Sequence, residues 1–160
     1  TAAGTNDILI GGAGNDTLKV AGGAGFVQLT GGAGNDTYDF STFAPASSGS
    51  YASIIGIEKG ETIDLISSAT ANFNATKFVL GSAAGFESYV NQALAAATAA
   101  AGNAIDGIAW FQYSGNTYIV QNHNVDATFT AGDLVIELTG LVDLSASSFN
   151  DATHGSLVYL

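Results

Sequence analysis

The chain reads as a mainly β protein in which glycine-rich turns stack parallel strands, followed by a carboxy-terminal sheet region with one α-helix at 83–101. Three observations predict this class. The segment Gly-Gly-Ala-Gly-Asn-Asp-Thr occurs at residues 11–17 and again at 31–37, so a turn recurs at a short fixed period. Later runs rich in Ile, Val, Tyr, Phe and Thr are punctuated by Gly and Asn, as strands are. From Ser82 onward, Phe86, Tyr89, Val90, Ala93, Leu94 and Ala97 recur at helical spacing.

The repeats come first. Each complete copy has the form Gly-Gly-x-Gly-x-Asp-x-U-x, where U is the large apolar Leu18 or Tyr38. A decayed copy, Gly22-Gly23-Ala24-Gly25-Phe26-Val27-Gln28-Leu29, lies between them, and an eroded one, Gly4-Thr5-Asn6-Asp7-Ile8-Leu9, precedes them. Glycine admits positive φ and leaves carbonyl oxygens uncovered, so such a turn can aim several of them at one cation. Aspartate adds the hard anionic oxygen that Ca²⁺ prefers within a shell of oxygens. Residue U begins a short strand with its apolar side chain turned inward. A flexible linker lacks regularly placed Asp and U residues, and a phosphate loop requires a Gly-Lys-Ser/Thr that is missing.

This pattern resembles the RTX nonapeptide repeat, whose parallel β-roll binds calcium in its turns. The resemblance implies metal ligands from Gly11, Gly12, Ala13, Gly14 and Asp16 in one turn and from Gly31, Gly32, Ala33, Gly34 and Asp36 in another. In that roll each nonapeptide makes half a coil, so an ion sits between turns two repeats apart. The turn of Asp16 is therefore expected to face that of Asp36, giving one well-formed site. Asp7 faces a turn whose aspartate has become Val27, giving a half-built site on the opposite edge. Gly22 follows Gly11 by 11 residues and Gly31 follows Gly22 by 9, so two extra residues near Val20 and Ala21 predict a bulge.

Composition narrows the function. The 160 residues suit one domain or two tightly joined pieces, here residues 1–45 as the repeat roll and 46–160 as the β-rich remainder packed on it as one unit. With 47% hydrophobic against 11% charged residues the chain is globular rather than disordered. Fourteen Asp and Glu against three Lys and Arg disfavour nucleic acid as a partner and suit divalent cations. There is no cysteine, so calcium would supply the staple that disulfides give many secreted domains. No apolar run is long enough to span a bilayer. Without an initiator methionine or an amino-terminal signal peptide, the chain reads as the carboxy-terminal part of a longer protein.

Beyond the repeats, Tyr38-Asp39-Phe40 reads as the final roll strand, followed by a connector holding the only proline, Pro45. Ile54-Ile55-Gly56-Ile57-Glu58 and Thr62-Ile63-Asp64-Leu65 flank a charged turn, Lys59-Gly60-Glu61. The helix is expected to be capped by Ser82, to end at Gly102-Asn103, and to pack on the sheet, since it lacks the basic face of a membrane-surface helix. A hairpin follows, Ile108–Tyr113 and Thr117–Gln121 about Ser114-Gly115-Asn116.

Residues 122–133 offer a second metal candidate. Asn122, Asn124, Asp126, Thr128 and Asp133 include oxygen side chains at positions 1, 3, 5 and 12 of a twelve-residue loop, the spacing of an EF-hand. Asn122 replaces the usual Asp, Ala127 the usual Gly and Asp133 the usual Glu, and strands flank the loop. A polar hairpin loop built from Asx turns is the competing reading. Leu134–Leu144 reads as one or two strands, and Leu157–Leu160 as a last strand or part of a secretion signal.

The stretch from Thr117 through Leu144 is similar to the carboxy-terminal region of RTX-type bacterial surface-layer proteins exported by type I secretion. That resemblance implies a secreted, cell-surface, calcium-binding structural module that self-associates in a lattice and engages the type I secretion machinery. The alternative is an accessory folding and secretion domain of an RTX exoenzyme, such as a serralysin-type protease or a lipase, or of an RTX adhesin. No enzyme is expected within this chain. His123 and His154 lie in no catalytic motif, and Asp64, Asp106 and Asp143 show no partner in the sequence.

Overall fold

In a computed structural model, each glycine-rich turn is followed by a strand whose inward residue is apolar, and the strands stack as coils. The structure describes residues 1–4, 6–22, 25–43, 51–66, 72–79, 81, 85–102, 105–124, 126, 128–130, 132–150 and 155–160. Strands β1 (Asp7–Ala13) and β2 (Thr17–Lys19) form the first coil, and β3 (Val27–Ala33) and β4 (Thr37–Asp39) the second. All ladders between them are parallel. Leu9 lies beside Leu29 on one sheet, and Leu18 beside Tyr38 on the other.

The roll does not end at β4. Strands β5 (Ala52–Ile54) and β6 (Thr62–Asp64) make a third coil, with Ile54 beside Leu29 and Ile63 beside Tyr38. Tyr38–Phe40 is thus an interior strand, and the turn Lys59-Gly60-Glu61 is the third in the stack. The expected bulge at Val20 and Ala21 is also corrected. Val20 N–H donates to Asp39 O and Ala21 N–H to Ala2 O, which prolongs the parallel ladder. A bulge there would have broken the in-register stacking of the inward side chains Leu18 and Val20, which the ladder instead preserves.

The remaining elements are β7 (Asn72–Phe73), α1 (Phe86–Ala100), β8 (Gly107–Tyr113), β9 (Asn116–Asn122), β10 (Leu134–Leu138), β11 (Ser148–Asn150) and β12 (Ser156–Val158). One sheet runs β1-β3-β5-β10-β9-β8-β7 and the other β11-β12-β6-β4-β2. Strand β10 pairs parallel with β5, so the sheet of the roll passes directly into the carboxy-terminal hairpin. Strand β12 adds antiparallel to β6 on the other side. Leu29, Tyr38, Phe40, Ile54, Ile63, Trp110, Ile119 and Ile136 share one buried core across this junction. Each such side chain contributes about 1.5–3 kcal/mol on leaving water.

The hairpin β8–β9 turns through Ser114 and Gly115, both at positive φ, the two-residue type that matches strand twist. Helix α1 lays Val90, Ala93, Leu94 and Ala97 on this hairpin, against Ala109, Phe111, Val120 and Val135. Phe86 and Tyr89 add aromatic contacts to Phe111 and Tyr113. Gly102, at φ 71°, ends the helix and returns its N–H to Ala99 O. Ser82, Asn103, Pro45 and His154 lie outside the described residues. Among the described residues no helix is long and apolar enough to cross a membrane.

Candidate metal centre

Register brings the two complete repeats together. Thr17 pairs with Thr37, so the preceding residues Asp16 and Asp36 stack at one end of the parallel pair. Asp36 Oδ1 accepts the Asp16 N–H at 2.9 Å, and the Asn35 N–H donates to Asn15 Oδ1 at 2.9 Å. Asp36 is only 1% exposed. The remaining oxygens, Asp16 Oδ2 and Asp36 Oδ2, are buried without a hydrogen-bond partner.

Glycine makes this approach possible. A Cβ on Gly11 would stand 2.6 Å from Gly31 O and 2.8 Å from Asp16 Oδ2. A Cβ on Gly31 would overlap Asp36 Oδ2 and lie 2.7 Å from Tyr38 Oη. Gly12, Gly14, Gly32 and Gly34 all have φ between 108° and 130°, a region essentially reserved for glycine. Carboxylate and carbonyl oxygens therefore crowd one cradle.

No lysine of the chain pairs with it. The chain has three Lys and Arg in all. Lys19 Nζ bonds Asp39 Oδ2 at 2.6 Å, Lys59 Nζ lies over the Tyr159 ring, and Lys77 Nζ bonds Gln112 Oε1. An unpaired buried carboxylate costs several kcal/mol unless a cation compensates it. The donor set, hard oxygens from two aspartates and glycine-rich backbone, fits Ca²⁺.

A family model of the RTX calcium-binding nonapeptide repeat, in four copies, matches residues 1–19 and 19–42. The chain carries RTX calcium-binding repeats. No curated protein matches it. Ca²⁺ is thus the ion these turns take, and Asp16 and Asp36 with the backbone oxygens of the two RTX turns are the residues that would hold it. When bound, calcium supplies two positive charges to a pocket where the fold has gathered anionic oxygens.

The other RTX positions differ. Asp7 Oδ2 accepts the N–H groups of Ala3 and Gly4 at 3.0 and 2.8 Å, so it closes its own turn. Its neighbour across the ladder is Val27, buried and apolar. Among the described residues no second carboxylate pairs with it across this ladder. Ala13 and Ala33 pair in register, and Ala33 O accepts the Gly14 N–H.

In the loop 122–133 the oxygens hold backbone. Asn122 Oδ1 accepts from Asn124 N, Asn124 Oδ1 from Asp126 N, and Asp126 Oδ1 from Thr128 N, at 3.0, 2.9 and 3.2 Å. Asp133, fully buried, accepts from His123 N through one oxygen and from Thr130 through the other. Asn122 Nδ2 reaches Thr98 Oγ1 at 2.6 Å and so ties the loop to α1. Among the described residues of this loop no buried side-chain oxygen lacks a partner.

Four residues acquire partners that sequence reasoning missed. Asp106, buried and at φ 65°, sits with Oδ1 2.5 Å from His123 Nδ1. Asp64 Oδ1 accepts from Ser156 Oγ, and Asp143 Oδ1 from Ser145 N. The Ser145 N–H holds the Asp143 carboxyl below its usual range. Glu61, 1% exposed, lies beside Asp36 and Tyr38. Burial, with the contact and charge of Asp36, pushes the Glu61 carboxyl above its ordinary value, although the Glu58 N–H opposes this. Burial and the Glu61 charge likewise raise the Tyr38 hydroxyl well above its ordinary value. The signal for Glu61 was present in the sequence, since Gly60-Glu61-Thr62-Ile63-Asp64 aligns without a gap on Asn35-Asp36-Thr37-Tyr38-Asp39.

Proposed function

We propose that this chain is a non-catalytic, calcium-dependent structural module of a secreted surface-layer protein, which folds when it meets extracellular Ca²⁺ and supports export and lattice assembly. The observation that carries the calcium switch is the buried, unpartnered pair Asp16 Oδ2 and Asp36 Oδ2 between stacked turns. Without the ion, those charges repel and lack solvation, so the coils are disfavoured. With it, binding free energy becomes folding free energy. The continuity of sheet from β3 through β5 to β10 extends this dependence to the carboxy-terminal hairpin. A chain held open at low calcium would pass a type I secretion channel and fold on emergence. The surface-layer role is supported by the sequence similarity from Thr117 to Leu144 and by a composition low in Lys and free of Cys and Met.

Far-ultraviolet circular dichroism in EDTA, then during Ca²⁺ addition to about 10 mM, tests the switch, because extracellular calcium modules bind in roughly the 0.1–1 mM range. A cooperative gain of β signal that magnesium does not reproduce is expected. Asp16→Ala and Asp36→Ala weaken that response far more than Asp64→Ala. A fully folded chain in EDTA with no calcium-dependent change in melting temperature would refute the switch. Assembly of ordered sheets by the calcium-loaded chain, seen by electron microscopy, tests the lattice role.

A further inference from the structure

We infer that Asp36 and Glu61 hold a second calcium ion, between the second and third coils of the roll, with Glu61 lying outside the residues matched by the repeat family. The inference rests on the calcium reading of the first site. Its basis is the stacking of three rungs rather than two. Thr17, Thr37 and Thr62 lie in one parallel register, so Asp16, Asp36 and Glu61 occupy the same position in successive turns. Glu61 and Asp36 are each 1% exposed, and Asp36 Oδ2 is buried without a partner.

The third turn departs from the repeat in sequence but stacks in parallel register on the second, which places Glu61 over Asp36. Gly56, at φ 72°, follows Gly31 by the 25-residue offset of the two rungs but an added Cβ there meets nothing within 4 Å, whereas Gly60, at φ 98°, stacks on Asn35, with an added Cβ only 3.0 Å from Asn35 Oδ1. Glu61 is oriented by its surroundings. Its Oε2 accepts the Glu58 N–H at 2.7 Å, and Tyr38 Oη lies 3.3 and 3.4 Å from its two oxygens. Tyr38 Oη also accepts the Gly31 N–H at 3.2 Å, which places the hydroxyl between the two turns. The backbone closes the rung from outside, with Gly60 N–H donating to Tyr159 O and Tyr159 N–H to Glu61 O.

Two carboxylates brought together in an interior that contains no lysine or arginine require either a shared proton or a cation. Lys59, the nearest in sequence, is directed over the Tyr159 ring, 5.7 Å from its centroid, rather than into the pair. Hard anionic oxygens, with the glycine-rich backbone of the second turn on one side, select a divalent, oxygen-seeking ion of the kind already assigned to the neighbouring rung. Glutamate reaches one methylene further than aspartate, which suits a turn where Lys59 replaces the third glycine of the repeat.

The test is the number of ions bound by the whole 160-residue chain, counted by ¹¹³Cd²⁺ resonances and by Ca²⁺ titration calorimetry. Wild-type protein is expected to show two roll-bound ions. Glu61→Gln loses one and keeps the other, whereas Asp16→Asn loses the other. Glu61→Gln also melts higher than wild type in EDTA, because the Asp36–Glu61 repulsion is gone, and gains less from added calcium. A purely structural Glu61 would move both melting temperatures down together. An unchanged ion count and affinity in Glu61→Gln overturns the second site while leaving the first intact. Absence of any bound ion in wild type overturns the calcium reading itself. Should Glu61→Gln fail to fold, Asp126→Asn decides: two ions retained there, with the exposed loop carboxylate gone, support the roll sites, and a single ion overturns the inference.

Discussion

Gly12 and Gly32 occupy the same place in two copies of one repeat, with φ of 119° and 112°, yet alanine should affect them very differently. An added Cβ on Gly12 meets nothing within 4 Å. At that position the cost is conformational, about 1–3 kcal/mol for an L residue held in a sparsely populated region. Alanine's lower entropy in the unfolded chain adds to stability where its native backbone is unstrained, but not here. On Gly32 the same Cβ would overlap Gly12 O and stand 2.8 Å from the Gly12 carbonyl carbon. Backbone cannot rotate away as a side chain can, so overpacking adds about 1–3 kcal/mol. The expected sum for Gly32→Ala is about 3–5 kcal/mol, against about 2 for Gly12→Ala. At roughly 3 °C per kcal/mol for a chain of this size, that is a melting-temperature loss of about 9–15 °C against about 6 °C. Differential scanning calorimetry at saturating Ca²⁺ measures both. Gly32→Ala should also weaken calcium binding more, because it displaces the backbone next to the Asp16–Asp36 cradle. Equal losses for the two variants would refute the stacking of turn on turn.

Two further outcomes follow from burial and charge. Asp39 is held below its ordinary carboxyl value: burial opposes ionisation, but the Lys19 ammonium and two bonds from Ser41 outweigh it. A depressed folded pKa gives stability that is complete above the ordinary value near pH 4 and is lost as pH falls through the lower folded value. The melting-temperature gap between wild type and Asp39→Asn should thus be present at pH 6 and shrink below pH 4, and it should correspond to less than about 1 kcal/mol, since Lys19 is 37% exposed. A gap that widens on acidification would contradict this sign. Leu94→Ala, in the buried face of α1, should cost about 2–5 kcal/mol by urea denaturation. A loss below about 1 kcal/mol would mean the helix is not docked on β8 and β9.

Much of this protein was legible in the sequence because its signals are local. The Gly-Gly-x-Gly-x-Asp turns, the apolar U residues, the Ser114-Gly115 hairpin and the three-four spacing of α1 each declare themselves within one turn, one hairpin or one helix. The period of 20 residues between complete repeats also set the stacking of Asp16 on Asp36, since identical turns in a regular coil must superpose. What the sequence by itself determined is therefore the calcium chemistry of the first two coils and the β class of the rest. Only the tertiary structure decided that the roll continues. The third turn lies 25 residues on, lacks the glycine signature and carries Glu in place of Asp, so its place over Asp36 rests on β5 and β6 pairing with β3 and β4. Asp106 and His123 likewise meet because the β8–β9 hairpin aligns its two ends, although 17 residues separate them. The physical reason is common to both cases. A turn's own conformation is written in the residues that make it, whereas the partner a buried carboxylate meets is chosen by strand register, which is set by how the whole apolar core packs.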